Sequence, residues 1–383
     1  VLLAVGVWGE RVVVGWFVLD QTGSVFWAAT TFAVRSLPFM LLAPIAGAVA
    51  DRVDRRRLLL ATALLKGVVI VAMGLLALGE APPIWALLAL VSMAGVGSAF
   101  EMPSTQALIT DLVPRRDAMN AVSLYSTGMR VVGVLGGLAG GVMTDAFSPS
   151  AALFASAGAV VLGGIVIQTV RKPAVARGDG RPGARAVWSE AVEGLRLMSR
   201  TQVVAALLIL AVFVEIFGFS HGALLPAVAK NVLGVGATGL GALTLMAGVG
   251  SVAGAGALAA MGDYRRKGLL ILVATLGYGV ALIVFSRSSV FAVSLVLIAG
   301  VGMAAAMFDA MQWVLLQANV PDRFRGRAIG GWVFAIGFGW IGHLLLGAVA
   351  EQIGVQWTLT ASGSAVLAAG IVAIAVSPRL RGA

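Results

Sequence analysis

Twelve times along the chain a stretch of about 20 apolar residues recurs, the length an α-helix needs to cross a hydrocarbon layer about 30 Å thick. The stretches are 1–19, 25–49, 58–78, 84–110, 118–146, 150–170, 203–229, 237–261, 269–286, 290–317, 327–350 and 357–376. The interruptions are short and carry turn chemistry, as in QTGS (21–24), GEAPP (79–83) and SPS (148–150); only 171–202 is long and polar. A soluble core could not absorb this much apolar side chain: 60% of residues are hydrophobic, 50 are glycine and 11% are charged, where a soluble domain carries roughly 25% charged. The sequence predicts an all-α polytopic membrane protein.

The basic residues give the threading. Of 27 Lys and Arg, 21 fall in alternate interruptions or beyond the last run: Arg52 and Arg55–Arg57, Arg115 and Arg116, seven across 171–200, 265–267, then Arg323, Arg325 and Arg327, then Arg379 and Arg381. The other side has Lys230 and Arg287. Because cytoplasmic loops are enriched in Lys and Arg, both termini and 171–202 are expected in the cytoplasm of a bacterial-type plasma (inner) membrane. This placement accounts for the net charge of +10, and no nucleic-acid partner is expected. The chain opens on Val1 inside an apolar run, from which the native N-terminus and the first turn or two of the first helix are expected to be missing.

With no cysteine and two histidines, a disulfide framework, a thiolate metal site and thiol catalysis are excluded and a histidine metal site is not expected. No G-x-x-x-x-G-K-[ST] loop or Ser/His/Asp arrangement stands out. Neither an enzyme nor a resident cofactor is expected.

The chain also repeats itself. Shifted by 206, SAGAVVLGGIV (156–166) lies over SGSAVLAAGIV (362–372) and Asp145 over Glu351; shifted by 207, QALITDLVP (106–114) lies over WVLLQANVP (313–321); a shift of 205 puts Glu10 on Glu215. Two pseudo-symmetric six-helix bundles follow, 1–170 and 203–383, joined by 171–202. Within the linker, VWSEAVEGLRLMSR (187–200) has the stripe of an amphipathic helix lying on the membrane surface.

GAVADRVDRRR (47–57) resembles the G-x-x-x-D-R-x-G-R-R signature of the major facilitator superfamily, with Asp54 where the second glycine is usual, and a degenerate copy stands at 262–267. RSLPFMLLAPIAGAVADRVDRR (35–56) and AFEMPSTQALITDLVPRRDAMNAVSL (99–124) are similar to the exporter branch that contains enterobactin and macrolide efflux proteins. The resemblance implies the superfamily's twelve-helix fold, a central site open alternately to either side, and a monomer. It also implies a cytoplasmic gate built on Gly47, Asp51, Arg52, Arg55 and Arg56, in which Asp51 pairs with the positive N-terminus of helix 11. The run Gly133, Gly136, Gly137, Gly140, Gly141 on helix 5 lacks the proline of the antiporter signature.

The ionisable residues inside the spans include Glu10, Arg11, Arg35, Glu101, Arg130, Glu215 and Asp309. Facing lipid, each costs about 2.5–3.5 kcal/mol and all seven on the order of 20 kcal/mol. They are expected to face one another or a wet cavity. Glu10 and Glu215 are first candidates for proton coupling, with a fixed ion pair as the competing role; Glu101 and Asp309 are further candidates, with a gate or packing contact favoured. Arg11, Arg35 and Arg130 would be their electrostatic partners, since a guanidinium does not release its proton, and Trp16 and Trp340 could line the cavity. Lys66 is expected to snorkel towards the cytoplasm. His221 and His343 read as packing residues, and Trp27, Trp85 and Trp357 as interfacial anchors. Trp313 and Trp332 fit either cavity or packing. The spacing of Gly133, Gly137 and Gly141 predicts one tight helix-packing ladder.

The function expected is export of an amphiphilic small molecule, drug-like or siderophore-like, against an inward flow of protons, with protons and membrane lipids as the other partners. A facilitator or importer of the same fold and a non-transporting receptor or lipid-handling scaffold remain as alternatives.

Overall fold

The structure is a computed structural model that describes residues 1–114, 117–170, 202–262, 266–320, 332 and 334–377, without the side chains at 43, 44, 48, 51, 118–120, 122, 123, 126, 127 and 130. Helices follow in the order α1 (Leu2–Thr22), α2 (Val25–Arg52), α3 (Arg55–Leu76), α4 (Ile84–Leu112), α5 (Ala118–Ala146), α6 (Pro149–Gln168), α7 (Gln202–Phe217), α8 (Ala237–Met261), α9 (Lys267–Ser286), α10 (Phe291–Ala318), α11 (Gly339–Ile353) and α12 (Val355–Val376). Among the described residues, eleven helical segments are long and apolar enough to cross a membrane, and Val131–Ala146 of α5 adds a shorter one. The fold class expected from the sequence is the one found.

Local chemistry sets the helix ends. Gly23 closes α1 in the left-handed region at φ 65°, where a side chain would be strained, and returns its N–H to Leu19 O. Ser148 caps α6 through Ala151 N–H, with Pro149 in the first turn. Asp54 caps α3, accepting from the N–H groups of Arg56 and Arg57. That cap explains what a carboxylate does where the superfamily signature has glycine. It is legible as an Asp immediately before a helical run.

The chain divides into two compact units. One holds the described residues of Val1–Gly23, Val34–Trp188 and Gly236–Gly241; the other holds those of Ser24–Ala33, Ser189–Val235 and Ala242–Ala383. In the first, α3 packs on α6 and α4, and α1 on α5 and α6; in the second, α9 packs on α12 and α10, and α7 on α11 and α12. The same pairing scheme thus occurs twice, as the internal repeat requires. Side chains such as Val68, Ile209 and Val296 are about 70% exposed, the apolar exterior that a lipid-facing helix presents. The 187–200 segment lies outside the described residues.

Candidate functional site

In the first unit, helices approach through glycine, and the approach fixes where the charges sit. A Cβ on Gly136 would lie 2.4 Å from Val5 O, one on Gly140 2.8 Å from Gly9 O, and one on Gly133 2.4 Å from Trp8 Nε1. The α5 face against α1 is therefore Gly133, Gly136 and Gly140, at spacings of three and four. Gly141 turns instead towards α8, where a Cβ would stand 2.2 Å from Ala237 O, and Gly137 O lies 3.0 Å from the Cβ that Gly241 lacks. The single ladder expected over Gly133, Gly137 and Gly141 is two faces, because residues four apart drift round a helix by about 40° per step.

This packing holds Glu10 in the interior, 1% exposed, where Arg35 Nη2 donates to its Oε1 at 2.5 Å. Gly95 of α4 makes room for Arg35, since a Cβ there would meet Arg35 O at 2.4 Å. Arg11 is not the partner. Its guanidinium lies over the Trp8 ring at 5.2 Å, and its Nε is buried without a hydrogen-bond acceptor. Adjacent residues on a helix point about 100° apart, so Glu10 and Arg11 diverge. Trp16 is half-buried on the same helix.

Lys66 departs from expectation. It is 2% exposed on α3, and its Nζ donates to Glu101 Oε2 of α4. Gly97 supplies the channel for its stem: a Cβ there would lie 3.0 Å from Lys66 Cγ and 3.1 Å from Cε. A carboxylate within reach removes the reason to snorkel. Arg130, considered beside Glu101, has its side chain outside the described residues.

The basic motif binds its own unit. Arg55 forms an ion pair with Asp111 at the end of α4 and donates to Ala107 O and Ala50 O. Arg56 donates to Gln168 O and Val170 O after α6, and Gln168 Nε2 donates back to Arg56 O. The two arginines gather the ends of α3, α4 and α6, a role beyond membrane topology that composition did not reveal. Arg52 is exposed and Gly47 has open space where a Cβ would go. The Asp51 side chain, residues 263–265 of the copy and residues 321–331 and 333 lie outside the described residues.

The second unit is built differently around Glu215. α7 stops at Phe217 and continues as a tighter 3-10 turn, Phe219–Leu224, one α-helical turn, Leu225–Ala227, and a π-turn, Val228–Val232. Such breaks inside a span need substitute hydrogen bonds: Ser220 Oγ donates to Glu215 O at 3.1 Å and lies 3.5 Å from Gly339 O. α11 presses onto the break through glycine, a Cβ on Gly342 falling 2.3 Å from Ile216 O and one on Gly339 2.9 Å from Glu215 Oε1. The Glu215 carboxylate thus rests on the first turn of α11. Trp340 on the same turn has its Nε1 buried without an acceptor. Among the described residues no cation lies within ion-pair distance of Glu215. Asp309 is half-buried on α10.

Below the break, His221 Nδ1 lies 2.8 Å from Gly218 O and 3.2 Å from Tyr278 Oη, and Tyr278 packs edge-on to Phe219. His343 sits against Phe32, ring centres 5.9 Å apart. Trp313 and Trp332 meet edge-to-face at 4.9 Å; Trp332 Nε1 donates to Gln312 Oε1 and Gln312 Nε2 to Leu207 O. Trp332 also joins a cluster of Val204, Leu316 and Val320, so these two tryptophans pack. Trp27, Trp85 and Trp357 are exposed at helix starts, and Arg287 covers the Trp357 ring at 4.1 Å.

The sequence matches the family described as "Transmembrane secretion effector" over residues 1–381. It is 27% identical over 375 residues to the multidrug efflux pump Tap of Mycolicibacterium fortuitum, covering 96% of this chain and 90% of that protein. It is 20% identical to macrolide efflux protein A of Streptococcus pyogenes, covering 93% and 88%. Among solved structures, a peptide transporter of the POT family superposes with a TM-score of 0.78 at 14% identity, covering 99% of this chain and 93% of that one. A bacterial homologue of the lysosomal transporter Spinster gives 0.71 at 17% identity, covering 99% and 97%. At such identities the structural likeness speaks for the fold alone.

Proposed function

The chain belongs to the transmembrane secretion effector family, exporters of the major facilitator superfamily and not enzymes, and from that premise we propose that it expels an amphiphilic small molecule in exchange for protons, by alternating access. The substrate class follows from relatives named for multidrug and macrolide efflux. In this reading both termini and the basic loops are cytoplasmic, the membrane is the plasma membrane, and the bundles 1–170 and 203–383 rock about a central site as a monomer, driven by the proton gradient.

One observation carries the coupling: two carboxylates at equivalent places in the repeat have unequal surroundings. Glu10 is fixed by Arg35, whose Nη2 lies 2.5 Å from its Oε1. Glu215 has no such partner among the described residues and lies on a broken helix, against Gly339. A carboxylate whose charge nothing fixes is the one able to load and release a proton as its surroundings change. Glu215 is thus the proton carrier and Glu10–Arg35 the fixed pair that positions α1 and α2. Glu101, held by Lys66, is a packing charge, Asp309 a secondary acid, and Arg11 and Trp16 border the substrate path.

The test is substrate-induced proton release from purified protein, across a panel of cationic, neutral and anionic amphiphiles. Release is expected for some of the panel and lost in Glu215→Gln, while Glu10→Gln, if folded, still releases. Release that survives in Glu215→Gln rejects the assignment. A facilitator, favoured by the missing proline on α5, would release none from the parent protein while still carrying substrate downhill.

A further inference from the structure

At the end of the molecule poor in basic residues, two carboxylates do one job twice. Glu351, in the last turn of α11, accepts the N–H of Val25 at 2.8 Å and of Phe26 at 3.1 Å, the first residues of α2. Asp145, in the last turn of α5, accepts the N–H of Ala237 at 3.0 Å and of Thr238 at 2.7 Å, the first residues of α8. A helix cap is ordinarily local, supplied by the residue just before the helix. Here the caps come from 326 and 92 positions away.

Both carboxylates sit badly on their own helices, at C-terminal ends where the helix dipole is negative. The positive start of another helix offsets that. Each is also preceded, one turn inward, by a glycine on which the same capped helix rests. A Cβ on Gly347 would lie 2.6 Å from Ala29 Cβ, and one on Gly141 2.2 Å from Ala237 O. The α8 start is fitted to its acid from its own side too, as a Cβ on Gly236 would stand 2.5 Å from Asp145 Oδ2. The element is therefore G-x-x-x-D at 141–145 and G-x-x-x-E at 347–351, related by the same 206-residue shift that overlays 156–166 on 362–372.

The helix starts that are capped are also those that change unit. Ser24–Ala33 clusters with the second unit although α2 from Val34 clusters with the first; Gly236–Gly241 clusters with the first although α8 from Ala242 clusters with the second. Both acids are exposed, so water can replace each contact when it parts, which makes the hydrogen bonds reversible.

We propose that Gly141–Asp145 and Gly347–Glu351 form a duplicated latch on the starts of α8 and α2, released when the basic-poor end opens. The latch rests on the alternating access proposed above. It assigns Asp145 and Glu351 a gating role that neither residue's sequence position announces.

Because the chain has no cysteine, single cysteines report opening without background. Ala33→Cys on α2 and Leu243→Cys on α8, both buried, lie roughly two turns in from the capped amides, beyond the reach of first-turn fraying. Val14→Cys, buried on α1, controls for general loosening. The measurement is the maleimide labelling rate of purified protein in nanodiscs without substrate. Asp145→Ala with Glu351→Ala should raise labelling at 33 and 243 by about tenfold or more, since one lost cap weakens a helix start by about fivefold. Asp145→Asn with Glu351→Gln, whose amide oxygens still accept, should stay nearer the parent. Unchanged rates at 33 and 243 in the double alanine variant overturn the latch, as does an equal rise at 14. A protein that exported nothing yet labelled as expected would sink the transport reading and leave the latch standing.

Discussion

A buried charge inside a span is stabilised by a partner of opposite sign, and the two buried pairs of the first unit show how the chain provides one. Lys66–Glu101 and Arg35–Glu10 each bridge neighbouring helices, and each has a glycine where a side chain would collide with the cationic residue, Gly97 with the Lys66 stem and Gly95 with the Arg35 backbone. Removing one member of such a pair strands the other, at about 3–5 kcal/mol, whereas replacing both with apolar groups of similar volume is close to neutral. Glu101→Leu should accordingly lower the thermal unfolding midpoint in detergent sharply, and Lys66→Met added to it should restore most of the loss. A double variant no better than the single would mean that Lys66 is stabilised by something other than Glu101. The same design applied to Arg35→Met and Glu10→Leu should give the same pattern of loss and recovery. The sequence marked these residues as costly in lipid but left their partners open, because pairing is decided by which helix faces which. Its choice for Lys66 followed a rule for cations near a membrane surface, which fails where a carboxylate on the next helix is closer than the headgroups.

At the level of helices, glycine is the recurrent device, and the structure separates the glycines that pack from those that do not. Gly136 of α5 and Gly342 of α11 occupy equivalent places, with Val5 O and Ile216 O at 2.4 and 2.3 Å from the Cβ each would gain. A backbone carbonyl cannot move aside as a flexible side chain can. Gly136→Ala and Gly342→Ala should each destabilise by about 1–3 kcal/mol, the cost of overpacking. Gly158, exposed on α6 with nothing within 4 Å of its absent Cβ, is the contrast: Gly158→Ala should be neutral or stabilise by about 0.5–1 kcal/mol, because alanine is the better helix former. Thermal midpoints in one detergent decide this, and equal effects at all three positions would contradict the packing described. Helix extents were the most legible part of the chain: the runs 118–146 and 237–261 coincide with α5 and α8, since hydropathy and turn residues act locally. The packing face of α5 was not, because a cluster of five glycines fits several spacings and only the neighbouring helix selects among them. The break in α7 was equally hidden, Gly218 being one glycine among many in apolar sequence.

For the whole molecule, duplication supplies two similar bundles, and the antiport proposed above rests on where they differ. The repeat places Glu10 over Glu215, but a counterpart of Arg35 is not found beside Glu215 among the described residues. An antiporter needs this inequality: a carboxylate held ionised throughout the cycle carries nothing, while one that is neutral on one face of the membrane and ionised on the other transfers a proton per turn. The sign of the coupling follows. Export against inward proton flow must speed up when the outer side is acid and slow when the gradient is collapsed. In inside-out vesicles, where the lumen stands for the exterior, substrate should accumulate when the lumen is acidified and leak back when a protonophore is added. In Glu215→Gln the accumulation should disappear while downhill exchange of substrate continues, because a neutral amide mimics the loaded acid and lets the bundles alternate without a proton. Accumulation of the same extent with and without the pH gradient would remove the antiport and leave a facilitator on this fold. Loss of both accumulation and exchange in a folded Glu215→Gln would make the carboxylate part of the alternation itself and not only its proton carrier.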